Sequence, residues 1–214
     1  MGPATSPGAR YIRPCKALYN AHMKNTDQLP ILLFETRHDW EAWLEEHLTE
    51  NGIWLKLAKK GTAILSITFP EALESALCFG WIDGQRVTFD EKHYLQKFTP
   101  RRPRSTWSKV NRQKIETLIA DGRMRPTGLR QVELAKADGR WEAAYDAQSA
   151  MTVPDDFQKE LEKNPAAQEF FATLKNQHRL AILRPIQTAI KPETRSARIQ
   201  KYIAMLAAHE KPSP

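Results

Sequence analysis

The chain has 214 residues, of which 41% are hydrophobic, and its formal net charge is +7. This hydrophobic fraction is sufficient for a buried core and excludes a wholly disordered protein. No apolar run approaches the ~18 consecutive residues of a membrane-spanning helix, so the sequence predicts no membrane span.

The two cysteines, Cys15 and Cys78, lie far apart in different sequence contexts. Such isolated cysteines are typical of proteins in a reducing compartment rather than of disulfide scaffolds. The N-terminal region also lacks the apolar segment of roughly 7–15 residues that a secretory signal requires. Together these features predict a cytoplasmic protein.

Residues 1–26 are rich in Pro, Gly and Ala, and they contain four basic residues and no acidic one. The segment shows neither a helical nor a strand period. It therefore predicts a disordered basic N-terminal extension. Met23, which is followed by KNTDQLPILLF, is an alternative start of the chain.

A strand–helix–strand unit is predicted after this extension. The run ILLF at 31–34 indicates a short buried strand. Thr36 is suited to cap a helix that ends at Asn51-Gly52. The run IWLKLA at 53–58 alternates in polarity as a strand does.

A second helix and further strands follow. Thr68 and Glu71 have the spacing of a capping box, which predicts a helix start. The Asp83-Gly84 pair predicts a two-residue hairpin turn, and HYLQKF at 93–98 adds another strand to the resulting meander. The order β-α-β-α-β-β-β predicts an α+β fold, with a small mainly antiparallel sheet and helices on one face.

The rest of the chain is predicted to be helical. Either Ser105 or Ser108 caps a helix that closes at Gly122, and Pro126 opens the next helix. The segment TVPDD at 152–156 has the composition of a linker. An α+β core domain is therefore predicted over residues 27–147 and a C-terminal helical module over residues 148–214.

Inside this C-terminal module, prolines mark the predicted helix boundaries of a small bundle. Pro165 and Pro192 are expected at helix starts, and Pro185 is expected to kink a helix. No tryptophan occurs in this part of the chain, whereas all six occur between residues 40 and 141. This shift in composition supports a separate module.

Most familiar catalytic signatures are missing from the sequence. It contains no phosphate-cradling Gly-rich loop, no nucleophile elbow and no zinc-type Cys/His spacing. His38, Glu41 and Glu45 share one helical face, for which a solvated surface is favoured over a metal site. Cys78 is interpreted as a buried structural thiol. We therefore predict no cofactor and no metal, and no catalytic residue can be named.

Two runs of basic residues stand out. Residues 97–114 contain seven basic residues and no acidic one, and residues 175–201 contain seven basic residues against Glu193 alone. Such runs are either solvated faces with counter-charges nearby or surfaces for a polyanion, a phosphate ligand or an acidic partner.

The loop TPRRPRSTW at 99–107 is the strongest candidate for a site. Its two prolines stiffen a backbone that presents three arginines, and arginine recognises phosphate or carboxylate with paired hydrogen bonds. The loop leads into a predicted helix N-terminus, where backbone N–H groups attract anions. Trp107 either stacks a base or sugar or packs inward on that helix.

Asp83 allows two interpretations, as a turn residue that tolerates positive φ or as a general base. Arg86 is placed to pair with it across the predicted turn. Near the C-terminus, Arg195, Arg198 and Tyr202 share one helix face. The complete predicted ligand-binding set combines these segments: Trp81, Asp83, Arg86, Arg101, Arg102, Arg104, Trp107, Asn111, Arg195 and Arg198.

Several strings resemble the YdeI/OmpD-associated family, also called bacteriocin-protection proteins. They are WEAWLEEH at 40–47, GIWLKLAKK at 52–60, ALCFGWIDG at 76–84, FTPRR at 98–102, WSKVN at 107–111, GRMRPTG at 122–128, AKADGRWEAAY at 135–145 and AIKPETRSARI at 189–199. The resemblance implies a bacterial protein linked to tolerance of cationic antimicrobial peptides or bacteriocins, with an envelope-stress partner. It implies no reaction and no catalytic residues.

Taken together, the sequence favours a soluble, non-enzymatic stress-tolerance protein with an Arg/Trp pocket for a small anionic ligand or nucleotide. Two alternatives stay open. One is a nucleic-acid-binding protein that uses the runs at 97–114 and 175–201 as a phosphate track. The other is an enzyme with Asp83 as general base. A protein partner in envelope stress is compatible with the favoured function.

Overall fold

A computed structural model of the protein describes residues 10–11, 29–147 and 150–213. Within these ranges there are five strands and eight helices. The strands are β1 (Arg10–Tyr11), β2 (Ile31–Leu33), β3 (Ile53–Ala58), β4 (Trp81–Thr88) and β5 (His93–Pro100). The helices are α1 (Arg37–Glu46), α2 (Phe69–Cys78), α3 (Lys109–Ala120), α4 (Pro126–Ala137), α5 (Asp155–Glu162), α6 (Pro165–Thr173), α7 (Asn176–Gln187) and α8 (Pro192–Ala207).

The chain divides into two compact units. Among the described residues, the first unit comprises those up to Pro103 together with Lys114–Gln131, and the second comprises Arg104–Gln113 and those from Val132 onward. The boundary predicted between residues 147 and 148, which separates an α+β core domain from a C-terminal helical module, stays a prediction. Most of the predicted disordered extension at 1–26 lies outside the described residues, apart from the strand β1.

The first unit contains a mixed sheet with the strand order β1-β2-β3-β5-β4. Only β2 and β3 run parallel, and the other neighbours are antiparallel. The predicted α+β fold with a mainly antiparallel sheet is thereby confirmed.

Local sequence signals explain where the first two helices begin. The hydroxyl of Thr36 accepts the backbone N–H of Asp39 at the start of α1. At the start of α2, Thr68 and Glu71 form the complete predicted capping box, in which each side chain accepts the other residue's backbone N–H. These bonds satisfy N–H groups that have no partner within the helix.

The predicted hairpin turn at Asp83-Gly84 is wrong, and so is the additional strand that it implied. Both residues lie inside β4, where the pairing with β5 shifts register between Asp83 and Arg86. The amide of Gln96 donates to the carbonyl oxygen of Gly84 at 2.9 Å and so satisfies a group beside this irregularity. Glycine and aspartate suit a β-bulge as well as a turn, so the dipeptide alone did not distinguish the two.

The turn between β4 and β5 lies further along, at residues 89–92. The carboxylate of Asp90 accepts the backbone N–H groups of Lys92 and His93 at 2.8 and 2.6 Å. These two hydrogen bonds cap the observed turn, which takes the place of the two-residue turn predicted at Asp83-Gly84.

Aromatic side chains form the core of the first unit between α1 and the sheet. Trp40 stacks on Trp43 with ring centroids 5.5 Å apart, and both rings meet Trp81 edge-on. Phe98 of β5 lies 5.8 Å from the Trp40 ring. The indole N–H of Trp40 donates to the carbonyl oxygen of Ala72, which ties α1 to α2.

The helices of the second unit pack around their own apolar core. Phe157 and Phe171 meet edge-on at 5.6 Å, and the surrounding residues come from all four helices α5–α8. The predicted starts at Pro165 and Pro192 are confirmed, and Pro185 lies inside α7 as expected. No helix in the described ranges is long and apolar enough to cross a membrane.

Candidate functional site

A solvent-open cleft in the first unit contains two of the predicted ligand-binding arginines. Its volume is about 650 Å³. One wall is formed by β5 and the segment that follows it, and the other by the turn between α1 and β3. The lining residues are Leu29, Leu48, Thr49, Glu50, Asn51, Lys97, Thr99, Pro100, Arg101, Arg102 and Pro103.

The wall formed by β5 is basic. Lys97, Arg101 and Arg102 all line this wall, whereas Glu50 supplies the only carboxylate among the lining residues that the structure describes. Arg101 is only 7% exposed. Its backbone N–H donates to the carbonyl oxygen of Gly80 at 3.0 Å, so the chain is anchored where it leaves the strand. Arg102 is exposed.

Asp83 lies close enough to Arg101 for their charges to interact. Burial raises the pKa of the Asp83 carboxyl above its usual range, and the positive charge of Arg101 opposes that rise. Asp83 is paired in register with Phe98, three residues before Arg101. The structure therefore places Asp83 near Arg101, although Asp83 does not line the cleft, and a ligand role for these residues stays a prediction.

The opposite wall carries the polar residues 49–51 beside Leu48, and it is held by the aromatic core. The backbone N–H of Glu50 donates to the carbonyl oxygen of His47. The His47 ring in turn stacks on Trp43, with centroids 4.3 Å apart. The exposed residues Thr49, Glu50 and Asn51 thus project from a turn of defined geometry.

Gly52 allows this turn to approach β5. A Cβ atom at Gly52 would lie 2.7 Å from the carbonyl oxygen of Phe98 and 2.7 Å from Cγ2 of Thr99. Its φ of 133° is also one that other residues rarely adopt. A side chain here would push the two walls of the cleft apart.

The other two predicted site residues in this unit have packing roles. Trp81 is buried against Trp40 and Trp43. The guanidinium of Arg86 lies 3.7 Å from the centroid of the Tyr94 ring, which is a cation–π contact. Neither residue lines the cleft.

The remaining predicted site residues belong to the second unit. Trp107 is 1% exposed, and its ring centroid lies 5.1 Å from that of Trp141. The backbone N–H of Asn111 donates to the hydroxyl of Ser108, so Ser108 is the cap that the sequence left open between two serines. Arg104 is exposed and has a φ of 68°.

Arg195 and Arg198 contact the C-terminal end of α7. One nitrogen of Arg195 donates to the carbonyl oxygen of Ile186 at 2.7 Å, and two others bind the carboxylate of Asp156. Arg198 donates to the carbonyl oxygen of Pro185. Both arginines therefore satisfy carbonyl groups that a helix end leaves without intrahelical partners.

Tyr202, on the same face of α8, compensates for the proline inside α7. Proline has no N–H, so the carbonyl oxygen of Ala181, four residues before Pro185, lacks its usual helical donor. The hydroxyl of Tyr202 donates to that oxygen at 3.3 Å. The hydroxyl of Tyr202 thus replaces a hydrogen bond that α7 lacks because of Pro185.

The Tyr202→Phe substitution should lower the free energy of unfolding by about 1 kcal/mol, because the carbonyl oxygen of Ala181 then loses the hydrogen bond from Tyr202. Urea denaturation measures the change. Combining it with Pro185→Ala, which restores the N–H, should remove most of the Tyr202→Phe effect. Additive effects in the double variant would contradict the compensation.

Sequence reasoning missed an ion-pair network that joins α1, α2 and the segment after α3. The hydroxyl of Ser75 donates to Glu41 at 2.6 Å, and Arg123 donates to Glu74 at 2.9 Å. Glu41, considered above as part of a metal face, is engaged in this network. Burial raises the pKa of the nearby Cys78 thiol to about 11, which disfavours the nucleophilic thiolate.

The polar wall at residues 49–51 was missed as well. No motif marks it, because these residues follow a helix end where polar residues are ordinary. Only the close approach at Gly52 places them opposite the arginines. Within the described residues, no group of three or more His, Cys, Asp or Glu is arranged to hold a metal ion.

Two family models match the chain. Residues 32–131 match the one described as Domain of unknown function (DUF8412), and residues 150–209 match the one described as Bacteriocin-protection, YdeI or OmpD-Associated. No curated protein and no solved structure shows significant similarity to the chain. Apart from Leu29, the residues that line the cleft lie in the part that matches the model without a described function. The resemblance to the YdeI/OmpD-associated, bacteriocin-protection family is confirmed, and residues 150–209 are the segment that carries it.

Proposed function

We propose that this protein is a non-enzymatic binding protein of the bacteriocin-protection type, and that it recognises an anionic group in the cleft at the end of β5. The observation that supports the proposal is a buried arginine on a solvent-open cleft. Arg101 is 7% exposed, yet it lines a space of about 650 Å³ together with Arg102 and Lys97.

The charges of the cleft favour an anion. Among the described lining residues, three are cationic and one, Glu50, carries a carboxylate, while Asp83 offsets part of the charge of Arg101 without lining the cleft. A guanidinium in a partly desolvated position interacts with an anion more strongly than one in bulk water, since the effective dielectric constant is lower. Arg101 therefore suits phosphate or carboxylate recognition.

The backbone around the arginines is held in place before any ligand arrives. Pro100 and Pro103 flank the pair and limit the conformations of the segment. The hydrogen bond from Arg101 N–H to Gly80 fixes its start. Little conformational entropy then has to be lost on binding, which favours affinity.

The Arg102→Ala substitution should weaken the binding of inorganic pyrophosphate about tenfold, because one exposed charge-assisted hydrogen bond contributes roughly 1.5 kcal/mol. Isothermal titration calorimetry on the full chain measures the affinity. Arg130→Ala is the matched control, since Arg130 is exposed in the same unit and does not line the cleft. It should bind as the unchanged protein does.

Two results would contradict the proposal. One is equal pyrophosphate affinity for Arg102→Ala and the unchanged protein, and the other is no binding of pyrophosphate at all. Binding of long RNA alone, with an affinity that falls steeply as salt is raised, would instead favour the phosphate-track function.

A further inference from the structure

We propose that the ligand of this cleft is a phosphorylated polyol, such as a sugar phosphate. Its phosphate would lie against Arg101 and Arg102, and its hydroxyl groups would face residues 49–51. This inference rests on the proposed function, because it names the ligand class of the same site.

The two walls differ in chemistry, and this difference carries the argument. The β5 wall is lined by the cationic residues Arg101, Arg102 and Lys97. The opposite wall is lined by Glu50 and Asn51, which carry a carboxylate and an amide, beside the apolar Leu48. A ligand that satisfies both walls needs an anionic end and a separate end rich in hydrogen-bond donors.

Hydroxyl groups match the second end. A carboxylate only accepts hydrogen bonds and can take two hydroxyl donors at once, whereas an amide both donates and accepts. A simple phosphate or carboxylate ion would leave Glu50 facing a like charge across the cleft. A polyol between them separates these charges and supplies donors to Glu50.

The size of the cleft points in the same direction. Its volume of about 650 Å³ falls within the range of ligand pockets, roughly 300–1,000 Å³. Inorganic phosphate would occupy only the basic side of such a space. A sugar phosphate would fill more of it.

The geometry of the turn makes it a defined recognition surface. It is anchored through the bond from Glu50 N–H to His47 and through the stacking of His47 on Trp43. Gly52 holds it against Thr99, whose side chain also lines the cleft. The polar groups are thus presented at a set distance from the arginines.

The test compares two ligands of equal charge and chain length, glycerol 3-phosphate and n-propyl phosphate. In calorimetric titrations of the full chain, glycerol 3-phosphate should bind at least fivefold more tightly, and ribose 5-phosphate more tightly still. Since the pair differs only in hydroxyl groups, the ratio of their affinities reports on the polar wall and not on the arginines.

The Glu50→Gln variant keeps the shape of the turn and removes the carboxylate. It should reduce the affinity ratio of the two ligands to about twofold or less while leaving n-propyl phosphate bound as tightly as before. Glu45→Gln is the matched control, because Glu45 is exposed on α1 and does not line the cleft. Its ratio should equal that of the unchanged protein.

The outcomes separate this inference from the proposed function. If neither organic phosphate nor pyrophosphate binds, both are overturned. If both phosphates bind equally, or if Glu50→Gln leaves their ratio unchanged, the anion site stands and the polyol assignment is wrong. Tighter binding of phosphoethanolamine than of glycerol 3-phosphate would replace the hydroxyl-bearing class by an ammonium-bearing one.

Discussion

The Gly128→Ala substitution is expected to lower the free energy of unfolding by about 2–4 kcal/mol, as the sum of an overpacking penalty and a weakened hydrogen bond. Gly128 lies in the first turn of α4 and is buried. A Cβ atom there would lie 2.1 Å from the carbonyl oxygen of Cys78 and 3.0 Å from that of Leu77. Both are backbone atoms at the end of α2, so no flexible side chain can move aside.

The same contact supports a hydrogen bond that the substitution would disturb. The backbone N–H of Arg125 donates to the Cys78 carbonyl at 3.1 Å. On an exposed helix, Gly→Ala stabilises by about 1 kcal/mol through helix propensity. The predicted destabilisation therefore has the opposite sign to the local preference, which makes the measurement decisive.

Urea denaturation at neutral pH measures the effect, and Gly84→Ala is the matched control. Gly84 lies in β4 of the same unit, where the nearest atom to a new Cβ is Cβ of Lys97 at an ordinary 3.6 Å. The control should change stability by less than about 1 kcal/mol. Equal stability of Gly128→Ala and the unchanged protein would show that α2 and α4 are further apart.

The second large effect is expected at Arg195. The Arg195→Ala substitution should lower the free energy of unfolding by about 2–3 kcal/mol at neutral pH, because bonds to charged groups each contribute roughly 1.5–3 kcal/mol when well formed. Nε of Arg195 lies 2.5 Å from one oxygen of Asp156, and Nη2 lies 2.8 Å from the other. Nη1 also binds the carbonyl of Ile186.

Solvent exposure limits this effect. The side chains of Arg195 and Asp156 are 29% and 46% exposed, and a single exposed ion pair contributes only about 0–1 kcal/mol. The two-pronged geometry and the additional bond to the end of α7 raise the expected value above that range. Lys201→Ala, a charge change on the same helix, should cost less than about 1 kcal/mol.

The Arg195 contribution should also depend on pH. Hydrogen bonds from Arg195 hold the pKa of Asp156 below its usual range. A carboxyl with a lowered pKa in the folded state stabilises the protein above its unfolded-state pKa, about 3.9, and loses that contribution as pH falls through the folded-state value. The stability difference between Arg195→Ala and the unchanged protein should therefore shrink on acidification.

Unfolding of both proteins at about pH 7 and at about pH 3 measures this dependence. A difference that stays constant between the two conditions would show that the Ile186 bond, and not Asp156, accounts for the effect. The result also bears on the predicted ligand role of Arg195, since a residue needed for stability at neutral pH is already engaged without a ligand.

Much of the fold was predictable because its signals are local. Thr68 and Glu71 satisfy each other's backbone within one turn, and proline is favoured in the first turn of a helix, where Pro165 and Pro192 lie. The turn predicted at Asp83-Gly84 was wrong because the same dipeptide suits a bulge and a turn. The choice between them depends on β5, which pairs across the chain.

The residues of the candidate site likewise fall into those that local sequence identified and those that it did not. Arg101 and Arg102 were identified from a charge run next to prolines, which is a feature of the sequence alone. Their burial and their polar counterpart at residues 49–51 were not, since 50 positions of the chain separate Asn51 from Arg101. The close approach at Gly52 brings them together.

The sequence by itself determined the helix starts, most strands, the basic segment at 97–114 and the resemblance to the bacteriocin-protection family. Each of these depends on neighbouring residues, whose interactions are set within a few positions along the chain. The tertiary structure alone decided that Arg101 lines a cleft, that Trp81 and Trp107 are buried, and that Arg195 and Arg198 bind the end of α7. Those outcomes depend on contacts between residues that are distant in the sequence, including the backbone groups that lack partners in their own helix. Only the packing of the chain determines these contacts.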